Sequence, residues 1–217
     1  MVIAMDGPAC AGKSTLAVLT AQRLHINFLN TGMIFRAIAY ILTKENIDTE
    51  NLEQVKEILN KANIDIEYID GKQVVYVEGI DTSPYISLPE ISQKASIYSQ
   101  IIEIRHIVSK IQHKFADKYD LVVEGRDIGT EVFPNAKYKF YITASVESRA
   151  KRRYETYIQK GENITYDEVK NAIIKRDYND MHRKISPLKQ AKDSIIIDTS
   201  NDTIEQSLEK IISYIKE

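Results

Sequence analysis

The sequence predicts an α/β fold, in which helices cover a parallel sheet, and three observations lead to this prediction. Short apolar runs alternate with longer stretches that have helical apolar spacing. Several of these runs are nearly continuously apolar, as is expected of strands buried on both faces. A glycine-rich stretch joins the first apolar run to the first helical one, where an α/β protein often binds phosphate.

Five core strands are predicted from the apolar runs. The first is VIAM, which is followed by a helix after Lys13, a second strand INFLN and a helix through Arg36. The remaining three are DLVVEG (residues 120–125), KYKFYITA (137–144) and SIIIDT (194–199). The last helix is predicted to begin at Thr203, because Thr203 and Gln206 have capping-box spacing ahead of an apolar stripe at Ile204, Leu208, Ile211, Ile212 and Ile215.

The middle of the chain departs from this alternation. The runs IDIEYI and QVVYVEG are rich in β-branched and aromatic residues, and they flank a turn signal at Asp70-Gly71. We therefore expect a small antiparallel insertion there.

Composition narrows the class of protein. A chain of 217 residues with 43% hydrophobic residues can bury one substantial core, so we expect one domain. The net charge of −2 provides no general basic field for nucleic acid. The single Cys10 excludes an intramolecular disulfide, and no apolar run is long enough to span a bilayer or serve as a secretory signal. We expect a cytoplasmic protein without a nucleic-acid or membrane partner.

The stretch GPACAGKST matches the phosphate-loop pattern G-x-x-x-x-G-K-[ST] at every defined position. Backbone N–H groups of such a loop surround phosphates, Lys13 reaches the β- and γ-phosphates, and the Ser14 hydroxyl can ligate Mg²⁺. Cys10 is interpreted as a small space-filling residue without a catalytic role. The motif predicts a nucleoside triphosphate with Mg²⁺ as its metal cofactor, bound at Gly7, Pro8, Ala9, Cys10, Ala11, Gly12, Lys13, Ser14 and Thr15, which become the ATP-binding residues by the resemblance given below.

Other classes of nucleotide-binding protein fit poorly. A GTPase switch should contain D-x-x-G and N-K-x-D, but the first is missing and residues 60–63 read NKAN. A transporter-type ATPase needs a Ser-Gly-Gly loop, and the chain has no Ser-Gly pair. The four histidines have no metal-ligand spacing, so no structural metal is predicted.

Arginines are scattered beyond the phosphate loop in numbers that one nucleoside triphosphate does not require. We interpret them as the sign of a second phosphorylated ligand held in line with the first. Helical spacing predicts that Arg176 and Arg183 share one stripe with Asp180. The other arginines of this set are Arg36, Arg105, Arg126, Arg149, Arg152 and Arg153.

These motifs together resemble the bacterial-type cytidylate kinases, the (d)CMP kinases among the nucleoside monophosphate (NMP) kinases. The most specific matches are DGPACAGKST, NTGMIFRA, EGRDIGTEVFP and KRDYNDMHRKISPL. The resemblance implies a P-loop kinase fold of three α/β/α layers with a five-stranded parallel sheet, a small antiparallel insertion in the NMP-binding region and a helical lid. It implies a single domain over 1–217, divided into a core (1–34, 107–146 and 184–217), an NMP-binding region (35–106) and a lid (147–183).

The implied reaction transfers the γ-phosphoryl group of ATP to CMP or dCMP in pyrimidine nucleotide metabolism, and the family implies a monomer. By the resemblance, Thr31, Arg36 and Arg126 surround the acceptor phosphate. Ser96, Arg105 and Asp127 match cytosine-reading positions, Arg176 and Asp180 match ribose positions, and Arg183 lies near the transferring phosphate. The implied catalytic residues are Lys13, Arg126, Arg183 and Arg153.

The chemistry of cytosine agrees with these positions. A carboxylate such as Asp127 can accept from the exocyclic amino group while Arg105 donates to the ring acceptors. Uracil presents the opposite pattern, so UMP should be penalised. Two alternatives stay open at this point: a P-loop kinase for UMP, AMP or a non-nucleotide alcohol, and a nucleotide-binding regulatory protein without turnover.

Four positions depart from the family pattern. Phe35 replaces a frequent Tyr, and Glu124 stands where Asp is common. Asn179 and Met181 occupy a lid stretch that is often rich in Arg. We expect these changes to adjust acceptor affinity.

Overall fold

The computed structural model of the protein describes residues 1–69 and 71–216. Its strands are β1 (Val2–Asp6), β2 (Asn27–Asn30), β3 (Ile64–Ile69), β4 (Lys72–Val77), β5 (Ile80–Asp81), β6 (Leu121–Gly125), β7 (Tyr138–Thr143) and β8 (Ile195–Asp198). Its helices are α1 (Lys13–Leu24), α2 (Thr31–Lys44), α3 (Leu52–Lys61), α4 (Ser83–Ile86), α5 (Pro89–Tyr98), α6 (Ile102–Ala116), α7 (Val146–Gln159), α8 (Tyr166–His182) and α9 (Ile204–Lys216). A π-helical turn spans Ile128–Val132.

The chain divides into two compact units. The first unit contains residues 1–28 and 119–216, and the second contains residues 29–118 apart from residue 70. None of the helices in the described part of the chain is both long and apolar enough to cross a membrane.

The five predicted core strands form one parallel sheet in the order β2-β6-β1-β7-β8. Strand β1 lies at the centre, where Ile3 is in register with Val122 of β6 and with Tyr138 of β7. The near-continuous apolar runs explain this arrangement, because the interior strands of a parallel sheet are buried on both faces. The predicted α/β fold with a five-stranded parallel sheet is confirmed.

Helices α1 and α9 pack with the sheet into the main core of the first unit. The predicted capping box of α9 is present, because Gln206 N donates to Thr203 Oγ1 at 3.2 Å and Thr203 N donates to Gln206 Oε1 at 2.8 Å. Leu208, Ile211 and Ile212 of the α9 stripe are buried and Ile215 is partly buried, whereas Ile204 is 57% exposed. That first position of the predicted stripe is therefore wrong, because the helix reaches the sheet only after its first turn.

The insertion in the second unit is an antiparallel sheet in the order β3-β4-β5. Ile64 pairs with Val77 and Ile69 pairs with Lys72, so the predicted hairpin is confirmed. Its predicted turn residue Asp70 lies outside the described residues, while Gly71 has φ +73°. Strand β5 is a two-residue addition that the sequence pattern did not indicate.

Helices α7 and α8 form a hairpin in the first unit. A turn with Gly161 at φ +75° follows α7. A capping box between Thr165 and Glu168 begins α8. The two helices pack around Ala150, Val169 and Ile173. This hairpin accounts for most of the predicted lid region.

Candidate active site

The phosphate-loop motif lies between β1 and α1, as predicted. Gly7 has φ +147°, and a Cβ at this position would lie 1.9 Å from the Ile142 carbonyl oxygen in β7. Gly12 has φ +89° and directly precedes α1. Both positions therefore require glycine, one for a close backbone approach and both for their dihedral angles. The loop brings backbone N–H groups to the N-terminus of α1, which favours an anion.

Lys13 is buried at the beginning of α1. Its Nζ donates a hydrogen bond to the Pro8 carbonyl oxygen at 2.6 Å, across the loop. Burial and, next, the nearby positive charge of Arg126 lower the pKa of Lys13 to about 7, while Glu124 opposes the change. The ammonium group is thus held inside the loop with incomplete charge compensation, which favours binding of an anion there.

Ser14 and Glu124 form a second contact at the loop. The Ser14 hydroxyl donates to the Glu124 carboxylate, at 2.7 Å from Oε1 and 2.9 Å from Oε2. The sequence identified Ser14 but treated Glu124 only as a departure from the family. The signal that could have identified Glu124 was a carboxylate at the end of a buried strand, because β6 ends beside β1 at the edge of the sheet where the loop begins.

Arg126 and Asp180, both predicted site residues, lie together. Arg126 Nε donates to Asp180 Oδ2 at 2.8 Å, and its Nη1 donates to the Gly125 carbonyl oxygen. Burial acts to raise the pKa of the Asp180 carboxyl, but the charges of Arg126, Arg176 and Arg183 outweigh it and lower the pKa. Helix α8 therefore presents an ionised carboxylate amid several guanidinium groups.

Asp127 and Arg183 are also close to each other. Arg183 Nη2 lies 3.4 Å from Asp127 Oδ1, and both side chains are nearly fully buried. Arg183 is not on the helical stripe that the spacing predicted for it, because α8 ends at His182 and Arg183 has extended backbone angles. Its Nε instead donates to the Ser186 carbonyl oxygen at 2.7 Å.

The cluster of arginines on α7 divides into three separate environments. Arg149 is buried and donates to the carbonyl oxygens of Ala144 and Ala9 and to Asp177 Oδ2, the last at 2.6 Å. Arg152 donates to the hydroxyl and carbonyl oxygens of Thr199. These two arginines are thus tied to protein groups. Arg153, the predicted catalytic member, lies exposed over the Tyr157 ring at 4.4 Å from its centroid.

Cys10 lies inside the phosphate loop with φ +60°, a left-handed conformation that is unusual for a residue other than glycine. It is partly buried and packs against the cluster of Ala150, Val169 and Ile173 between α7 and α8. This contact agrees with a packing role for Cys10.

Asp6 is a functional candidate that sequence reasoning missed. It is the last residue of β1, and its carboxylate accepts hydrogen bonds from the backbone N–H groups of Ile128 and Gly129. A charged residue that follows an apolar strand and precedes the first loop glycine was the available signal. Its partners lie more than 120 residues away in sequence, so the spacing could not identify them.

Four of the eight predicted CMP-binding residues belong to the second unit. Thr31 is buried at the first position of α2, and Arg36 is half-buried one turn later. The preceding residue, Asn30, caps the helix by accepting from Met33 N at 3.2 Å. Asn30 N in turn donates to Gln73 Oε1 of β4 at 2.6 Å, so the insertion supports the start of α2.

Arg105 and Ser96 are the other two predicted residues in this unit. Arg105 is buried in α6, where its Nη1 donates to the Ser99 carbonyl oxygen at 3.0 Å. Its guanidinium carbon lies 5.7 Å from the centroid of the Phe35 ring, within cation–π range. Phe35, a departure from the family pattern, therefore supports Arg105 through its ring face. Ser96 lies partly exposed on α5.

The other two departures, Asn179 and Met181, are exposed on α8. In residues 1–69 and 71–216, no group of three or more His, Cys, Asp or Glu side chains is placed to hold a metal ion. Metal binding at the phosphate loop would therefore depend on Ser14, Glu124 and the oxygens of a bound nucleotide. Hydroxyl and carboxylate oxygens are suitable Mg²⁺ ligands, so these residues fit the predicted ion.

The parallel sheet, the phosphate loop with its buried lysine and the arginines near it define a P-loop kinase. Solved structures share this fold: a shikimate kinase from Bacteroides thetaiotaomicron has TM-score 0.51 and 14% identity, covering 100% of this chain and 99% of that one. A protein from Eubacterium ventriosum reaches TM-score 0.55 at 14% identity and the same coverage.

The cytidylate kinase family model matches residues 3–217. A cytidylate kinase of Clostridium botulinum (strain Langeland) is 44% identical over 214 residues, 99% of this chain and 97% of the relative. One from Clostridium tetani is 42% identical over 216 residues, 100% of this chain and 94% of the relative. The chain therefore belongs to the cytidylate kinase family and is a phosphotransferase of the nucleoside monophosphate kinase type.

Proposed function

We propose that this kinase transfers the γ-phosphoryl group of ATP to CMP or dCMP, forming ADP and CDP or dCDP for pyrimidine nucleotide metabolism. One observation carries the proposal: Lys13, Arg126 and Arg176 act on one another electrostatically in the first unit of a protein whose net charge is −2. Such a concentration of positive charge favours a ligand with several phosphate groups.

ATP is proposed to bind at residues 7–15. Its phosphates would accept from the loop N–H groups, and Lys13 Nζ would exchange its bond to the Pro8 carbonyl oxygen for a phosphate oxygen. Ser14 and Glu124 would hold Mg²⁺ on the nucleotide. When bound, the ion supplies positive charge that offsets the charge of the β- and γ-phosphates.

The acceptor phosphate is assigned to Thr31, Arg36 and Arg126. A phosphomonoester with a second pKa near about 6 is already largely dianionic at neutral pH, so its oxygen needs no general base. The residues therefore act by orientation and charge. Arg183 and Arg153 are proposed to neutralise the transferring group, for which Arg153 must leave its contact with Tyr157.

Recognition of cytosine is assigned to Ser96, Arg105 and Asp127. Support comes from the fixed position of Arg105, whose guanidinium is held by the Ser99 carbonyl oxygen and the Phe35 ring. A guanidinium held in this way can donate to the ring acceptors of cytosine without first being ordered. Arg176 and Asp180 are assigned to the ribose.

We further propose the division into a core, an NMP-binding region over 35–106 and a lid over 147–183 that excludes water on closure. The α7–α8 hairpin supports the lid, because a capped helical hairpin can move as one body. A monomeric state and a cytoplasmic location stay predictions of the sequence.

The test is ADP formation by the purified protein with Mg-ATP and, in separate reactions, CMP, dCMP, UMP, AMP or no acceptor. We expect CMP and dCMP to drive turnover well above the other reactions. Arg105→Ala and Asp127→Ala should each lower the preference for CMP over UMP by roughly tenfold to hundredfold, because each removes a base contact. Arg23→Ala, which alters an exposed arginine bonded to Glu205 and Glu209, is the matched control.

Two results would contradict the proposal. Faster turnover with UMP, AMP or an alcohol would leave a P-loop kinase with a different acceptor. ATP binding without acceptor-dependent ADP formation would instead indicate a regulatory protein.

A further inference from the structure

The carboxylate of Asp6 holds a segment that is distant in sequence. Asp6 is the last residue of β1 and only 5% exposed. Its Oδ1 accepts from Ile128 N at 2.8 Å, and its Oδ2 accepts from Gly129 N at 2.7 Å. The two N–H groups belong to the residues directly after Arg126 and Asp127. The proposed function assigns Arg126 to the acceptor phosphate and Asp127 to the base.

These two bonds replace a local cap. The π-helical turn Ile128–Val132 begins after Asp127, whose side chain makes no capping bond to it. The first N–H groups of a helical turn have no partner within the turn, so burying them without an acceptor would cost free energy. Asp6 supplies both acceptors from a central strand of the sheet, which is a rigid support.

The turn also packs closely against Lys139. A Cβ at Gly129 would lie 3.2 Å from Lys139 Cδ and 3.4 Å from Asp6 Oδ2. Lys139 is buried, and its Nζ donates to the Pro134 carbonyl oxygen and to Asp193. A side chain at position 129 would therefore crowd both Lys139 and the Asp6 carboxylate that holds the turn.

We propose that Asp6 is a positioning residue that fixes the turn carrying Arg126 and Asp127, and that it thereby sets the affinity for the acceptor nucleotide more than the affinity for ATP. This inference rests on the proposed function. The larger effect on the acceptor follows from geometry, because the Asp6 carboxylate accepts both of its hydrogen bonds from the turn after Asp127 and none from the phosphate loop.

The ionisation of Asp6 agrees with this role. Burial raises the pKa of Asp6 to about 6, against the opposing effect of the two backbone bonds. The nearby Asp127 contributes to this rise in the pKa, and Lys13 opposes it. At neutral pH the carboxyl is therefore mostly ionised and can accept from both N–H groups, whereas a carboxamide can accept through only one of its two terminal atoms.

The experiment compares Asp6→Asn with the wild-type protein in steady-state ADP formation, varying CMP and ATP separately. Asp6→Asn places an amide N–H₂ against a backbone N–H. We expect the KM for CMP to rise roughly tenfold, as for loss of one bond to a charged group, and the KM for ATP to change less than about threefold. Asp48→Asn is the matched control, because its exposed carboxylate accepts from Glu50 N in the same manner but far from this turn in sequence.

A second variant guards against a folding defect. Gly129→Ala adds a methyl group that would crowd Lys139 and the Asp6 carboxylate, so it should displace the turn and produce the same acceptor-selective rise in KM. This variant decides the question if Asp6→Asn does not fold. An equal rise in both KM values, or no rise in either variant, overturns the inference.

A separate readout keeps the inference apart from the proposed function. Hydrogen exchange of the Ile128 and Gly129 amides, followed by NMR without any substrate, should accelerate in Asp6→Asn and not in Asp48→Asn. If the wild-type protein formed no ADP with CMP, the proposed function would fail. Unchanged exchange at these two amides in Asp6→Asn would overturn the Asp6 inference, whatever the activity of the protein.

Discussion

Helix α8 carries two aspartates one turn apart, and each pairs with an arginine from a different part of the first unit. Asp177 pairs with Arg149 at 2.6 Å, and Asp180 pairs with Arg126 at 2.8 Å. The chemistry of the two pairs is the same. Their surroundings differ, because the Arg149 side chain is 5% exposed and the Arg126 side chain is 19% exposed.

The partners of the two arginines show what this difference means. Arg149 also donates to Ala144 and to Ala9 of the phosphate loop, so it joins α7, α8 and the loop. Arg126 lies instead among Lys13, Glu124 and other charges, and its side chain is less completely buried than that of Arg149. A sequestered arginine stabilises the fold, whereas an accessible one in a positive field can receive a phosphate.

Breaking the buried pair should have the largest effect on stability. We expect Arg149→Met to lower the free energy of unfolding by about 3–5 kcal/mol, because the Asp177 carboxylate stays buried without its partner. Among the described residues, Asp177 Oδ1 already lacks a hydrogen-bond partner, so no second bond can compensate. Urea unfolding at pH 7 measures the change.

Two controls show whether the loss comes from the pair. The double variant Arg149→Met with Asp177→Leu should recover much of the stability, since an apolar pair leaves no buried charge. Arg23→Met removes an exposed salt bridge to Glu209 and should cost far less. Equal losses for Arg149→Met and Arg23→Met would show that burial does not distinguish these arginines.

A change in the Arg126–Asp180 pair should have the opposite effect, with a large loss of activity and a small loss of stability. Arg126→Lys keeps the charge and removes the planar fork, so we expect kcat/KM for CMP to fall by roughly 10²–10³-fold. The unfolding midpoint should move much less than in Arg149→Met, because solvent can reach the site. Steady-state kinetics and urea unfolding on the same preparations test both parts. Retained activity with a large loss of stability would reverse the roles assigned to the two pairs.

The sequence was sufficient to predict the sheet, the phosphate loop and the capping box of α9, because these depend on local spacing. It was insufficient for Asp6 and Glu124, whose partners lie more than 100 residues away, and for Arg149, whose bonds join Asp177 to the distant Ala9. All three are charged residues whose roles follow from burial beside particular backbone or hydroxyl groups. Helical spacing also misplaced Arg183, since the helix ends one residue earlier.

The smallest expected effect concerns Glu124, whose charge acts on Arg126 and whose carboxylate binds the Ser14 hydroxyl. Glu124→Gln keeps the size of the side chain and removes its charge. If Glu124 helps to hold Mg²⁺, the Mg²⁺ concentration that gives half-maximal ADP formation should rise roughly tenfold, as is typical when a group supporting a metal site is lost. Titrating Mg²⁺ at saturating ATP and CMP measures this concentration.

The same titration distinguishes two roles of Glu124, which are holding Mg²⁺ and balancing the charge of Arg126. Glu147→Gln changes an exposed glutamate bonded to Lys170 and should leave the half-maximal Mg²⁺ concentration unchanged. If Glu124→Gln lowers the rate equally at every Mg²⁺ concentration, Glu124 acts by balancing the charge of Arg126 and not by holding the ion. Glu124 would then belong with the open Arg126–Asp180 pair, and Ser14 alone would provide the protein oxygen for the metal.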